Sequence, residues 1–326
     1  MKQKLKSMLP SSAWLLFRQI KRSSTKGFRR LMEAAGYNIA RTKDYYSPLP
    51  TESVLVKNAA RWNKPSALAG VNYDLDGLKR SLKRLVDKYG QEFNALPSYS
   101  ENRALGFGPG YTQLDAMLLY MMVRELRPRR YLEVGSGLST YYCSQAAAAN
   151  ANENQPLQIT CIEPYPFEKL YSIPGIQIIK DEVQNVPAEK FLELEAGDVL
   201  FIDSSHVVRL DGDVPYLFLE ILPIIKPGVV IHVHDIPFPY NIPYPAEHWI
   251  LGTAENARYW PVYWNEAMLL QAFLAFNREF EVIQATPLLR HFDERVLRDL
   301  VPFYRSVEEQ PDTFSSIWLR RNEAEK

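Results

Sequence analysis

Short apolar runs alternate with stretches of helical periodicity from about residue 107 onwards. These runs lie at 131–134, 159–162, 175–180, 199–202, 229–234, 280–285 and 315–319. Mainly apolar runs of this length are typical of strands buried on both faces, and intervening helices make neighbouring strands parallel. The pattern predicts an α/β fold, with a mostly parallel sheet and helices on both of its faces.

The segments between these runs carry apolar residues at helical spacing. Thr112 and Asp115 are placed as a capping box, and the leucines and methionines from 114 to 122 recur at i, i+3, i+4 and i+7. Similar spacing predicts helices at 74–89, 214–225 and 265–276. Gly90 is expected to end the first of these three helices.

Two glycines follow the first strand of the predicted sheet, in the order Gly135-Ser136-Gly137. Glycines at this spacing let the backbone bend sharply and let a ligand approach it without meeting a Cβ atom. A helix is expected to begin near Leu138 and to carry Ser139. The turn is therefore a candidate ligand-binding site, although many nucleotide-binding folds have one.

Acidic residues follow three of the apolar runs directly. Glu163 comes after 159–162, Asp203 after 199–202 and Asp235 after 229–234. Open α/β sheets bind their ligands at the carboxyl ends of the strands. We therefore expect these three carboxylates to line a common site.

Four motifs in this order resemble those of class I S-adenosylmethionine-dependent methyltransferases, closest to a bacterial branch with Asp-Ser-Ser-His after the fourth strand. The motifs are Glu133-Val-Gly-Ser-Gly137, Glu163, Phe201-Ile-Asp-Ser-Ser-His206 and Val233-His-Asp-Ile236. The resemblance extends from Phe107 to Arg321. It implies a Rossmann-like sheet of seven strands, with the last strand antiparallel beside the fifth.

The resemblance also implies S-adenosyl-L-methionine as the cofactor. Gly135 and Gly137 would approach its methionine portion, Glu133 would bind the ammonium group, and Glu163 would take both ribose hydroxyls. Asp181 lies after the third strand, where relatives contact adenine. The expected cofactor-binding residues are Glu133, Gly135, Ser136, Gly137, Ser139, Glu163, Asp181 and Asp203.

The expected catalytic residues are Asp203, His206 and Asp235. Adjacent parallel strands would place the two aspartates within roughly 5 Å of each other, and some relatives hold magnesium at such a pair. Their third ligand follows the second acid, and Ile236 occupies that position here. We therefore expect a metal-independent route in which His206 is the base, with a pKa near 6.5 before environmental shifts. A magnesium ion on Asp203 and Asp235 is the alternative.

The acceptor is expected to be a small molecule or a glycan that is methylated on oxygen. Candidate acceptor contacts are Tyr45, Tyr46, His234, Tyr240 and Glu266. The three tyrosines have an alternative interpretation as packed loop aromatics, because proline-rich stretches such as those around 45–50 and 237–245 commonly carry them.

Composition excludes several classes of protein. The chain has 326 residues, a formal charge of zero and a hydrophobic fraction of 46%, which fits a globular enzyme and not a nucleic-acid binder. Cys143 and Cys161 lie in apolar contexts without metal-site spacing, which favours a reducing, cytoplasmic compartment. No run reaches the ~18 apolar residues of a membrane span.

The first forty residues differ from this average. Basic residues dominate the first 33 positions, where Glu33 is the only acid, and an apolar cluster lies at 14–20. This arm is interpreted either as a basic helix in solvent or as an amphipathic segment on an anionic membrane surface. The predicted organisation is an arm at 1–40, an accessory region at 41–105, a methyltransferase domain at 106–322 with an insertion at about 287–314, and a short tail.

Two other functions remain open at this stage. A nicotinamide-dependent oxidoreductase would use a similar turn, but Thr140 replaces the third glycine of its fingerprint and Glu163 lies beyond the ~20-residue spacing of its acid. A catalytically inert binding module would keep the fold without the chemistry. The joint presence of Glu163, Asp203, His206 and Asp235 argues against such a module.

Overall fold

A computed structural model describes residues 11–42, 44–108, 110–254, 261–309 and 314–323. The chain divides into two compact units, Met1–Asn58 and Ala59–Lys326. The predicted domain boundaries at 40/41 and 105/106 stay predictions. Among the described residues, no helix combines the length and the apolar character that crossing a membrane requires.

The first unit contains helices α1 (Ser11–Ala34) and α2 (Glu52–Lys57). At 100° per residue, one face of α1 carries exposed apolar side chains and the opposite face carries basic ones. The apolar residues of the first face are Leu16, Ile20, Phe28 and Leu31, and the basic residues are Lys26, Arg29 and Arg30; Leu15, which is also exposed, lies on the basic face. This helix is therefore amphipathic over its described side chains.

The second unit is built on a seven-stranded sheet in the order β3-β2-β1-β4-β5-β7-β6. The strands are β1 (Arg130–Val134), β2 (Gln158–Ile162), β3 (Gln177–Ile179), β4 (Val199–Ile202), β5 (Val230–His234), β6 (Phe280–Ala285) and β7 (Ser316–Arg321). The first five strands are parallel, and β7 lies antiparallel between β5 and β6. The predicted fold class is confirmed.

Helices surround this sheet. They are α3 (Ala59–Trp62), α4 (Leu75–Asn94), α5 (Tyr99–Arg103), α6 (Gln113–Leu126), α7 (Leu138–Asn152), α8 (Asp213–Tyr216, continued by a π-helical turn Leu217–Ile221), α9 (Ala246–Trp249), α10 (Glu266–Leu274) and α11 (Thr286–Leu300). The Thr112 hydroxyl accepts the Asp115 N–H, as the capping pattern predicts.

The predicted end points of two helices were wrong. Helix α4 continues through Gly90 to Asn94, because Leu85, Tyr89 and Phe93 extend its buried stripe beyond the glycine. The helix expected at 214–225 is shorter and ends in a π-helical turn. Pro223, which cannot continue a helical hydrogen-bond ladder, follows that turn closely.

The strand register places the predicted site residues at one edge. Val134 of β1 pairs with Ile202 of β4, and Ile202 pairs with Val233 of β5. The residues that follow these three positions therefore emerge together at the carboxyl end of the sheet. Strands β4 and β5 are buried at every position, so this edge rests on a rigid support.

His232 lies in the core, and neither ring nitrogen has a hydrogen-bond partner among the described residues. Its ring stacks on Trp318 with centroids 4.0 Å apart. Burial holds the pKa of His232 well below its usual range. The ring therefore stays neutral and contributes through stacking instead of hydrogen bonding.

Candidate active site

The glycine turn after β1 is held by its two neighbouring strands. Gly135 has φ +78°, and a Cβ atom on it would lie 1.9 Å from the backbone oxygen of Asp203. The Gly135 N–H donates to the Ile162 carbonyl at 3.0 Å, and the Asp203 N–H donates to the Val134 carbonyl at 2.9 Å. Only glycine fits at position 135, because both the conformation and the close approach exclude a side chain.

Glu163 lies beside this turn and is half-exposed. Its carboxylate accepts the Ser136 N–H at 3.1 Å and the Tyr165 N–H at 2.7 Å. The Ser136 hydroxyl is buried without a partner. A half-exposed carboxylate beside a hydroxyl that has no partner among the described residues fits a ligand that brings its own hydroxyl and amino groups.

Glu133 and Ser139 lie beneath the turn, in the interior. Glu133 is fully buried and accepts the Ser139 and Thr140 hydroxyls at 2.5 and 2.6 Å. Burial raises the pKa of Glu133 to about 8, although these hydroxyl hydrogen bonds oppose the shift. In the structure Glu133 therefore ties β1 to the start of α7, and its predicted contact with a ligand ammonium stays a prediction.

The glycine-rich segment before α6 packs over the turn. A Cβ atom on Gly137 would lie 2.9 Å from the Phe107 carbonyl, and one on Gly108 would lie 2.4 Å from the Phe167 ring. The Phe107 ring also stacks on Tyr141 at 4.9 Å. Phe107 thus packs against the glycine turn, and Gly108 packs against Phe167.

His206 occupies the centre of the opposite side of the site. Its Nε2 atom lies 3.3 Å from oxygens of both Asp203 and Asp235, and its Nδ1 atom lies 2.8 Å from Glu266. The ring packs on Trp264 at 4.6 Å and is 5% exposed. Three carboxylates from three different segments therefore surround one imidazole.

These carboxylates determine the charge of His206. Burial lowers the pKa of the ring, but the hydrogen bonds to Asp203 and Glu266 outweigh burial and raise that pKa well above its usual range. The free ring is therefore an imidazolium near neutral pH. The expected ionisation near 6.5 is shifted upward, because the sequence did not show that three acids converge on this histidine.

His234, at the end of β5, is a second buried histidine that lies between two carboxylates. Its Nδ1 atom lies 3.3 Å from Asp203 and its Nε2 atom lies 3.3 Å from Asp115. Burial lowers the pKa of this ring, but the charges of Asp203 and Asp235 raise it well above the ordinary value. His234 is 1% exposed, so it supports the carboxylates from behind.

The pKa values of Asp203 and Asp235 are shifted in opposite directions. Burial raises the pKa of Asp203, yet His234 and His206 together hold it well below its usual range. Asp235 accepts the Ser315 hydroxyl at 2.8 Å, and burial keeps its pKa raised. One acid of the pair is therefore firmly ionised, whereas the other binds a proton more readily.

Asp203, His206 and Asp235 also form a group that could hold a metal ion, with one ligand atom from each within 4.8 Å of the others. Glu266 on the far nitrogen of His206 matches the carboxylate that commonly orients a metal-bound histidine. Ile236 is fully buried and apolar, so the position of the usual third oxygen ligand is lost. The remaining set of one nitrogen and two oxygens fits borderline divalent ions better than magnesium.

Asp213 does not reach this group. Its carboxylate accepts the Ser205 N–H and hydroxyl, both at 2.6 Å. The backbone N–H groups of Asn265 and Glu266 donate to the His206 carbonyl at 3.0 and 3.2 Å. These contacts fix the loop after β4, in which His206 itself adopts φ +60°.

The other predicted site residues lie apart from this cluster. Asp181 is exposed and accepts hydrogen bonds from Glu182 and Asn185. Tyr240 stacks on Tyr244 at 3.9 Å, in a separate pocket. Tyr45 and Tyr46 belong to the first unit, where both are exposed and their rings meet edge to face at 5.3 Å. Their roles stay predictions.

Two residues of the site were missed from the sequence. Asp115 is fully buried and contacts His234, the Thr112 hydroxyl and the Ser316 hydroxyl. An acid inside the apolar stripe of α6 was a signal, but it was interpreted only as a helix cap. Ser315, which donates to Asp235, carried no signal because it begins an ordinary apolar run.

A family model for a methyltransferase domain matches residues 132–236, which contain the glycine turn, Asp203, His206 and Asp235 but not Glu266. No curated protein matches the sequence.

Several solved structures are similar at low identity. An O-methyltransferase from Bacillus cereus in complex with SAH is 12% identical over 75% of this chain and 100% of its own, with a TM-score of 0.40. The SAH-bound methyltransferase PaMTH1 of Podospora anserina is 16% identical over 85% and 99%, with a TM-score of 0.37. The O-methyltransferase TomG of Streptomyces achromogenes is 15% identical over 83% and 96%, with a TM-score of 0.34.

The family match coincides with the part of the sheet that forms the site. Strands β1, β2, β4 and β5, the glycine turn and all three acids at the strand ends lie within it or at its boundary. The seventh strand lies antiparallel beside the fifth, as the resemblance implied. Residues 132–236 of this chain therefore match a methyltransferase domain, and the match covers the glycine turn and the two aspartates beside His206.

Proposed function

We propose that this protein transfers a methyl group from S-adenosyl-L-methionine to an oxygen atom of a small-molecule or glycan acceptor. The observation that carries the proposal is the arrangement at the carboxyl edge of the sheet. The glycine turn with Glu163 lies on one side, and the His206 cluster lies on the other. The backbone of Asp203 touches Gly135 and its side chain contacts His206, so the two halves are adjacent.

Glu163 is the residue that would hold the ribose. Its carboxylate already accepts two backbone N–H groups, which leaves further lone pairs on both oxygens for ligand hydroxyls. The Ser136 hydroxyl, which has no partner, is the second polar group available at the turn. Residues 107 and 108 cover this side of the site, which would limit the access of water.

When bound, S-adenosylmethionine supplies an electrophilic methyl group, and the reaction is an in-line displacement. The chain's own task is to position the acceptor oxygen and to take its proton. His206 and Asp235 provide nitrogen and oxygen atoms that can do this, and Asp203, firmly ionised, orients His206. A cluster of proton acceptors favours a hydroxyl acceptor, because a hydroxyl must lose a proton during transfer.

His206 acts as the base only in its neutral form. Because its pKa is raised, activity should increase with pH through an ionisation above 6.5, and not at that value. Glu266 then keeps the hydrogen on Nδ1, and Nε2, which lies between Asp203 and Asp235, is the atom that would take the proton of the acceptor. We favour this metal-independent route. A divalent ion held by Asp203, His206 and Asp235 is the second candidate, supported by their mutual distances.

Helix α1 of the first unit is the basis for a proposal about the protein's location. Helix α1 presents Leu16, Ile20 and Leu31 on one face and Lys26 and Arg29 on the other, a pattern that binds anionic lipid surfaces. We propose a cytoplasmic protein that makes peripheral contact with the membrane through this helix. Tyr45 and Tyr46, which are both exposed, stay candidate acceptor contacts of the same unit.

A calorimetric titration of the full chain with S-adenosylhomocysteine tests the proposed function. We expect micromolar affinity, which is typical of nucleotide sites, and no measurable binding of NADH. Preferential binding of NADH would support the oxidoreductase alternative. Absence of binding to either compound would support an inert module.

A further inference from the structure

A second pocket is lined partly by the segment that follows Asp235. It has a volume of about 160 Å³, and its lining comprises residues 238–240, Tyr244, side chains of α11 and residues 307–308. This volume is below the range for whole drug-sized ligands, so the pocket suits one group of a larger molecule.

The walls of this pocket continue the segments that hold Asp235. Residues 238–244 follow Asp235 in the chain. Phe314, whose carbonyl accepts a hydrogen bond from Arg290, directly precedes Ser315, which donates to Asp235. The pocket therefore adjoins the acceptor side of the catalytic cluster.

Arg290 is the distinctive residue of this pocket. Its guanidinium packs 5.4 Å from the Tyr244 ring centre and 4.8 Å from that of Phe314, and its recorded hydrogen bond is a long one of 3.4 Å to a carbonyl. Within the described part of the chain it has no carboxylate partner. Burial lowers its pKa, as expected for a desolvated charge that lacks a counter-ion.

The other polar groups of the lining leave Arg290 available. Glu294 is engaged by the Tyr304 hydroxyl at 2.7 Å and by Arg298 at 3.3 Å. Glu308 is exposed, so solvent screens its charge. Burial and the neighbouring Arg290 lower the pKa of His291, which keeps that ring neutral.

We propose that this pocket binds an oxyanion of the methyl acceptor, a carboxylate or a phosphate, through the guanidinium of Arg290. The partly buried guanidinium of Arg290 has five N–H donors in a fork that matches either group, and the described residues engage one of them, through the Phe314 carbonyl. The stacked rings of Tyr240 and Tyr244 provide an apolar wall for the group that carries the oxyanion. This inference rests on the proposed function, because it assigns the ligand as the methyl acceptor.

Binding of small probes to the full chain tests the proposal. Benzoate and phenyl phosphate represent the two oxyanions, and benzyl alcohol is the neutral control. Ligand-observed NMR titration should show at least one acid binding roughly tenfold more tightly than the alcohol. A charge-assisted hydrogen bond contributes at least the binding free energy that a tenfold difference in affinity requires. Arg290→Gln should reduce the preference to about twofold or less. Arg295→Gln, an exposed arginine on the same helix, should keep it.

Equal affinity of the wild-type chain for acids and alcohol would overturn the proposal, as would a preference that survives in Arg290→Gln. Affinity for S-adenosylhomocysteine should be unchanged in Arg290→Gln, which verifies folding. If that variant does not fold, Arg290→Lys serves instead. It should weaken acid binding about threefold to tenfold by losing the fork, and unchanged binding would refute the role of Arg290. Binding of benzoate or phenyl phosphate without binding of S-adenosylhomocysteine would refute only the proposed function.

Discussion

Replacing Glu266 by glutamine should lower the pKa of His206 and shift the pH dependence of activity. The carboxylate of Glu266 lies 2.8 Å from Nδ1 of His206 and is 1% exposed. A hydrogen bond to a buried charged group contributes about 1.5–3 kcal/mol. At 1.36 kcal/mol per pKa unit, its loss corresponds to a fall of about 1–2 units in the His206 pKa.

The direction of this shift follows from the chemistry. The neutral ring is the base, so the activity of the wild type should rise with pH through the raised pKa. In Glu266→Gln the same rise should occur about 1–2 units lower. The glutamine oxygen can still accept the Nδ1–H bond, so the orientation of the ring is preserved. Glu281→Gln, at an exposed ion pair with Arg320, is the control and should change neither the pKa nor the profile.

Two measurements detect the shift in the His206 pKa. Histidine-labelled NMR titration resolves the five histidines and gives the His206 pKa without any substrate. The pH dependence of kcat/KM gives the kinetic pKa once an acceptor is known. A His206 pKa near 6.5 in the wild type, or one that does not move in Glu266→Gln, would refute the reasoning.

Two further predictions concern the metal and the N-terminal helix. A chelator should leave turnover unchanged if His206 is the base, whereas loss of activity that returns with magnesium or manganese would assign Asp203 and Asp235 to a metal ion. The full chain should co-sediment with phosphatidylserine vesicles at low salt and dissociate as salt rises. Ile20→Glu should abolish this association, because it places a charge in the apolar face of α1. Undiminished sedimentation of this variant would show that α1 does not bind the vesicles through that face.

Local patterns were sufficient to predict the sheet and its ligand-binding edge. Apolar runs fixed the strands, because strands such as β4 and β5 are buried at every position. The acids that follow the runs were expected to meet, since the carboxyl ends of parallel strands share one edge. The sharp bend predicted at the glycine turn is present, with φ +78° at Gly135, but the atom that excludes a Cβ there is the Asp203 carbonyl oxygen and not a ligand.

Long-range packing explains what the sequence did not reveal. Asp115 reaches His234 across 119 positions of the chain, and Glu266 reaches His206 across 60, so no local pattern contains either contact. The side of β1 on which Glu133 lies depends on how α7 packs, which turns the side chain into the interior. The raised pKa of His206 follows from these same distant carboxylates.

The affinity of Glu163 variants for S-adenosylhomocysteine tests the central claim most directly. If the cofactor ribose binds at Glu163, Glu163→Ala should weaken binding by about 1.5–3 kcal/mol, roughly 10-fold to 150-fold. Glu163→Gln keeps an acceptor for the Ser136 N–H and should lose less affinity than Glu163→Ala. The difference between the two variants shows how much of the loss arises from disturbing the glycine turn. Glu168→Ala, an exposed acid in the loop after β2, should bind like the wild type. Unchanged calorimetric affinity in Glu163→Ala would contradict the assignment of the glycine turn and Glu163 as the cofactor site.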